Sequence, residues 1–228
     1  MKRLLILPLF AITFYSCDLL GSLTNGDVVA GLKEALKVST DTSVANLNRT
    51  DGYFANAAVK ILLPPEAAAV ESTLRAIPGI GNAVVDDVIL KINRAAEQAA
   101  AEAGPIFFNA ITNITFNDAM NILNGPDDAA TQYLKSQTYT QLVTSFTPPI
   151  ENALTSVGAQ QAWSTMITYY NTYNDILGLQ DIPDNLAQYA TQKGLDGLFH
   201  IVAIEEGKIR NDVNHRVNEL LQRVFGAQ

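Results

Sequence analysis

Apolar positions recur along this chain at helical spacing, and no stretch keeps up the period of two that a half-buried strand requires. Val28, Leu32, Ala35 and Leu36 mark one stripe over residues 27–38. Asn56 to Leu63 reads as a short helix or an extended piece that Pro64-Pro65 must end, because a proline disfavours helical geometry in the residue before it. The alanine-rich run Glu66 to Ile77 is helix-prone and stops at Pro78-Gly79. Val84, Val88, Ile92, Ala95 and Ala99 then trace a long amphipathic helix, expected to end at Gly104-Pro105, with Pro105 opening another through Phe107 and Ile111. Thr115-Phe116-Asn117-Asp118 has the spacing of a capping box ahead of a helix that ends at Gly125-Pro126. Asp127 and Asp128 suit the positive end of the next helix. Leu142 to Phe146, Ile150 to Val157 and Trp163 to Tyr173 follow as three helical pieces, the first two broken by Pro148-Pro149. Asn185 to Asn211 and Val213 to Phe225 form a C-terminal pair. The pattern predicts an all-α, single compact multi-helix domain over residues 27–228, with about nine to eleven helices.

Composition fits that reading. Of 228 residues 48% are apolar and 17% charged, enough apolar side chain for a sizeable core and too little charge for a disordered chain. The net charge of −8 argues against nucleic acid, or an anionic lipid surface, as a partner held by basic patches. A single cysteine excludes an internal disulfide framework and a cysteine-rich metal site.

The first residues add an address. Lys2 and Arg3 precede a mostly apolar run from Leu4 to Tyr15, the n-region and h-region of a secretory signal, too short to span a bilayer as a stable helix. Phe14-Tyr15-Ser16-Cys17 then looks like a bacterial lipobox. The Cys17 thiol would accept the diacylglyceryl group, and the small Ser16 would admit the peptidase. The expected organisation is a signal peptide over 1–16, a lipidated tether over 17–26 and the helical domain beyond. A simple secretion signal with Cys17 incidental is the alternative. Removing Lys2 and Arg3 takes the charge from −8 to about −10. The lipid rather than surface charge would then hold the protein at the membrane of a bacterial envelope, in a leaflet that Asp18 leaves open.

Motifs that carry chemistry are few. Ile77-Pro78-Gly79-Ile80-Gly81 resembles a helix-hairpin-helix phosphate contact, but Asp86 and Asp87 follow it, and a Pro-Gly turn between packed helices explains it better. His200 and His215 have no metal-ligand spacing, and no Gly-x-Ser-x-Gly or phosphate-loop pattern occurs. No cofactor is expected. Trp163, Tyr169, Tyr170 and Tyr173 sit at helical spacing and read as a core stripe with hydroxyl tips outward, a glycan- or lipid-binding face being the alternative. Glu206 falls in phase with the apolar stripe of Leu195, Phe199, Val202 and Ile209, one turn before Arg210, while Asn93, Arg94 and Glu97 interrupt an alanine-rich face. A carboxylate drawn toward a core needs a partner. One network joining Arg94, Glu97, Glu206, Arg210 and Arg216 would supply it, either as a polar pocket or as ion pairs that fix helix register.

Asn93-Arg94-Ala95-Ala96-Glu97, Asp118-Ala119, Ala130-Thr131-x-Tyr133, and Gly194 to Phe199 leading through Glu205-Glu206-x-x-x-Arg210 to Val224-Phe225 resemble, in this order, the domain-of-unknown-function 4197 family. The resemblance implies an all-helical, exported bacterial protein of lipoprotein type and brings no activity with it. By position, it marks Asn93, Arg94, Glu97, Asp118, Thr131, Tyr133, Glu205, Glu206 and Arg210 as a polar cluster or pocket. Asn211-Asp212-Val213 stands where the family often has a proline after the acidic position. The expected function is that of a lipid-anchored, non-catalytic binding or scaffold module for a small molecule, a lipid or an envelope protein. The competing expectation is an enzyme that uses carboxylates of this cluster as general acid and base.

Overall fold

The structure, a computed structural model, describes residues 23–226 except 80, 114, 118 and 178–185, with the side chains of Tyr169 and residues 171–177 also outside the description. Among the described residues there are eight α-helices and no strand: α1 (Asn25–Leu47), α2 (Ala68–Arg75), α3 (Gly81–Asn113), α4 (Ala119–Leu123), α5 (Ala129–Ser156), α6 (Ala159–Leu177), α7 (Leu186–Asn211) and α8 (Glu219–Gly226). Short 3-10 turns precede α2 (Pro65–Ala67) and α8 (Val213–His215). The signal peptide, Cys17 and most of the expected tether lie outside the described residues, as does Asp118 of the expected capping box.

Eight helices replace the expected nine to eleven because prolines read as breaks lie inside helices. Pro105 sits within α3, and Pro148 and Pro149 within α5. A proline in a helix interior forfeits one backbone hydrogen bond and typically destabilises by about 3 kcal/mol or more. The carbonyls left without that bond belong to Ala101, Thr144 and Ser145, all exposed residues that water reaches. The buried faces run on across each proline, through Ala103 and Phe107 in α3 and through Phe146 and Ile150 in α5. Packing on one face and solvent on the other let these helices continue.

α3 is the central element, in contact with α1, α2, α5, α6 and α7. It runs antiparallel to α5: Ser156, at the end of α5, donates to Gln98 of α3 at 2.7 Å, and Tyr133, near its start, donates to the Thr115 carbonyl just past the end of α3 at 2.7 Å. α1 packs on α7 and α8 along its other side. The core contains Trp163, Tyr53, Phe107, Phe146 and Phe225, each almost wholly buried. Tyr170 is buried too, so the described part of the α6 stripe belongs to the core, as the sequence pattern expects; the side chains of Tyr169 and Tyr173 lie outside the description.

Pro78 and Gly79 form a turn between α2 and α3. Gly79 has φ +85°, and a Cβ on Gly81 would stand 1.6 Å from the Leu74 carbonyl oxygen, so the glycines are needed for the turn itself. The nearby cations are engaged: Arg75 with Glu71 and Asp86 at 2.9 Å each, Lys91 with Asp87 at 2.8 Å. Between α1 and α2, residues 48–64 form turns and extended chain. This segment lies so close to α7 that a Cβ on Gly197 would stand 2.9 Å from the Tyr53 ring.

Candidate functional site

The polar residues singled out in the sequence form two clusters, with no hydrogen bond between them among the described residues, rather than one network. The first holds residues 48–64 against α3. Glu97 Oε1 accepts the backbone N–H groups of Tyr53 at 3.1 Å and Phe54 at 3.0 Å, and its Oε2 meets Arg94 at 2.6 Å. Arg94 also reaches Asp51 at 2.8 Å and lies over the Phe54 ring, 5.6 Å from its centroid. Four residues before Glu97, Asn93 accepts from the Ile61 N–H at 2.9 Å and donates to the carbonyls of Ile61 at 2.7 Å and Ile89 at 2.8 Å. A side-chain amide thus pairs with both backbone groups of one loop residue, as a neighbouring strand would. Tyr53 completes the attachment by donating its hydroxyl to the Gly194 carbonyl of α7 at 2.8 Å, and burial beside Glu97 raises its pKa well above the usual phenol value.

The second cluster joins the ends of three helices. α5 begins after Asp128, whose side chain makes no capping hydrogen bond. Glu206 of α7 caps it instead: Oε1 accepts the Ala130 N–H at 3.0 Å, and Oε2 accepts the Thr131 N–H at 2.7 Å and the Thr131 hydroxyl at 2.6 Å. A negative charge at a helix N-terminus is favourable because the first N–H groups have no partner within the helix. Arg210, one turn further along α7, donates to Glu206 at 2.8 Å and to the carbonyls of Leu123 at 2.6 Å and Ile122 at 3.2 Å, which end α4. Arg216 then closes the C-terminus of α7 through the Ile209 and Arg210 carbonyls at 3.0 and 2.8 Å. The pair therefore caps opposite helix poles with the matching charge, at a site where Glu206 is 0% exposed.

Two of the expected residues belong to neither cluster. Tyr133 stacks on Phe116, with ring centroids 5.1 Å apart, and lines a cavity of about 580 Å³ between α3 and α5. The side chains there include Asn109, Asn113, Gln137 and Gln141, and none of the described lining residues is charged. Glu205 is 9% exposed, and among the described residues its side chain pairs with Lys208 at 2.7 Å. It lines a second cavity of about 510 Å³ between α7 and residues 46–57. His200 is exposed on α7, and His215 pairs with Asp212 at 3.0 Å. Among the described residues no group of three His, Cys, Asp or Glu side chains could hold a metal ion, and no helix is long and apolar enough to cross a membrane.

The family model described as "Protein of unknown function (DUF4197)" matches residues 22–226, nearly the whole chain and all of both clusters. The chain belongs to the DUF4197 family. No curated protein and no solved structure matches it. Membership fixes the family and leaves the activity to be argued from the site. Sequence reasoning missed Asp51 and Tyr53, on which the first cluster depends. Asp51 is the one described residue other than glycine with positive φ, at +67°, and the run Thr50-Asp51-Gly52 carries only an ordinary turn signal in the sequence.

Proposed function

We propose that this DUF4197 protein is a lipid-anchored protein of the bacterial envelope that works as a binding module rather than a catalyst. The Cys17 lipobox motivates the anchor. What supports binding over catalysis is the use made of Glu97 and Glu206. A general acid or base must be free to exchange a proton with substrate. The oxygens of both carboxylates are held instead by backbone N–H groups and an arginine, inside the fold. The open space lies elsewhere, in the cavities beside α5 and α7, which fall within the range of small-molecule sites of ~300–1,000 Å³.

The anchor is tested by feeding cells an alkyne fatty acid. The wild-type chain should become labelled and a Cys17→Ala chain should not; equal labelling of both removes the anchor. The binding reading is tested by native mass spectrometry of the full chain extracted from its own envelope, where a retained small molecule or lipid is the expected result.

A further inference from the structure

α3 and α5 face one another, antiparallel, across the cavity of about 580 Å³. Two hydrogen bonds set their register: Tyr133 meets Thr115 at one end, and Ser156 meets Gln98 at the other. Counting inward from both contacts puts Asn113 level with Gln137 and Asn109 level with Gln141. On each helix the two residues are four apart, which keeps them on one face and separates them by about 6 Å along the axis. All four line the cavity, so four carboxamides stand around one space in two facing pairs. Asn113 Nδ2 donates to Asn109 Oδ1 and to the Asn109 carbonyl at 2.9 Å each, and Gln137 Nε2 donates to the Ser136 hydroxyl at 3.3 Å. Asn109 Nδ2, Asn113 Oδ1, Gln137 Oε1 and both ends of Gln141 have no partner among the described residues. These residues are exposed, so a ligand would replace water there and break no bond of the fold.

We infer that this cavity binds an uncharged oligosaccharide, its hydroxyls held between the facing pairs Asn113–Gln137 and Asn109–Gln141. The inference rests on the binding reading above and is independent of the lipid anchor. A carboxamide offers donors and an acceptor without charge, and a sugar hydroxyl is likewise donor and acceptor at once. The wall also has an apolar part, from Pro105, Ile106 and Leu142. Tyr133 joins it with a ring fixed by stacking on Phe116 and by its hydroxyl on the Thr115 carbonyl. Such a surface suits the C–H groups on the face of a sugar ring. A charged ligand would find no counter-charge, because none of the described wall residues carries one. The cavity between α7 and residues 46–57 differs in this respect, with Arg49, Asp51, Glu205 and Lys208 in its wall. The volume of about 580 Å³ lies within the ~300–1,000 Å³ of small-molecule sites and exceeds what a single sugar ring fills.

The test is isothermal titration and saturation-transfer NMR of the full chain, in a detergent whose headgroup is not a sugar. The probes are cellobiose, maltose, lactose and N,N′-diacetylchitobiose, each beside a counterpart of the same sugar rings that carries a carboxylate or an ammonium. At least one neutral disaccharide should bind, and its charged counterpart about tenfold or more weakly. Asn113→Leu and Gln141→Leu should each weaken binding about tenfold while melting close to wild type, since both side chains are exposed. Gln132→Leu, on α5 but outside the cavity wall, should bind as wild type does. No binding of any neutral disaccharide up to about 10 mM overturns the proposal. Equal binding of neutral and charged sugars overturns it as well, as does unchanged binding by Asn113→Leu and Gln141→Leu. If every disaccharide fails while native mass spectrometry retains another molecule, the sugar assignment falls and the binding module stands; if nothing is retained either, both fall.

Discussion

Glu205 and Glu206 are adjacent on one helix and both buried, yet they face different surroundings. Glu206 points into the junction of α4 and α5, where two backbone N–H groups, a hydroxyl and an arginine receive it. Glu205 points to a cavity wall, where one lysine receives it. Burial alone therefore does not tell how much of the fold a charge holds together. The partner set does, because backbone donors from another element tie a carboxylate to the fold and a lysine on its own helix does not. The same division separates Glu97, fed by the N–H groups of residues 53 and 54, from Glu205.

The largest effect should come from breaking the Glu206 side of this contrast. Arg210→Ala leaves a fully buried carboxylate without its cation and removes the Arg210 hydrogen bonds to the Ile122 and Leu123 carbonyls. Removing one partner of a buried pair costs about 3–5 kcal/mol, so urea unfolding should show a loss of that size, an appreciable part of the total stability of a domain. A loss under about 1 kcal/mol would mean that the junction is not held by this pair.

Glu97→Gln should cost less, about 2 kcal/mol, since an amide oxygen in the Oε1 position can still accept both backbone N–H groups, more weakly, while the ion pair with Arg94 is lost. Its more telling readout is local. Amide hydrogen exchange at Tyr53 and Phe54 should accelerate ahead of the rest of the chain, because Glu97 is the acceptor for both. Uniform acceleration would contradict a clamp confined to residues 48–64.

These pairs show how far the sequence could be read. The spacings Arg94 to Glu97 and Glu206 to Arg210 were visible, as was the need for a buried carboxylate to find a partner. The helix ends that Glu206 and Arg210 cap were not, because a cap supplied from α7 leaves no local trace near residue 129; Asp128, which takes the N-cap position, makes no capping bond with its side chain. One network was expected and two formed, since sequence spacing fixes neighbours along a helix and says nothing of which helices meet. The helices themselves were legible from periodicity. Their number was not, because the local rule for proline yields where burial continues on both sides of it, as at Phe107, Phe146 and Ile150.

α1 offers the local, exposed counterpart of the Glu206 cap, and the effect there should be smaller. The Thr24 hydroxyl accepts the Asp27 N–H at 3.1 Å, while the Asp27 carboxylate accepts the Thr24 N–H at 3.1 Å and pairs with Arg223. Hydrogen bonds from the Thr24 hydroxyl and backbone hold the Asp27 pKa below the usual carboxylate range, with Arg223 adding to them. A carboxyl with a depressed folded pKa stabilises fully above its unfolded value near pH 4, and the contribution fades as pH falls through the folded value. Thr24→Ala removes the helix cap and should cost about 0.5–1 kcal/mol at neutral pH, as the loss of such a cap ordinarily does. The difference from wild type should shrink in urea titrations as the pH falls from about 5 to about 2; a gap that widens instead would reverse the assigned sign.

The smallest change in stability is expected at Glu205, and that smallness is the sharpest test of the opening contrast. Glu205→Gln keeps the side-chain volume, removes one ion pair with a lysine whose side chain is 44% exposed, and leaves the backbone around it untouched. Exposed pairs of this kind contribute about 0–1 kcal/mol, and relieving a carboxylate of its desolvation offsets part of that. The unfolding free energy should stay within about 0.5 kcal/mol of wild type. The same conservative change at Glu206 should cost several times more, since there it removes the negative charge from a helix pole and from Arg210 together. If the two neighbours cost the same, the carboxylate facing the cavity is as much a part of the fold as the one facing the core, and the partner set fails to separate them.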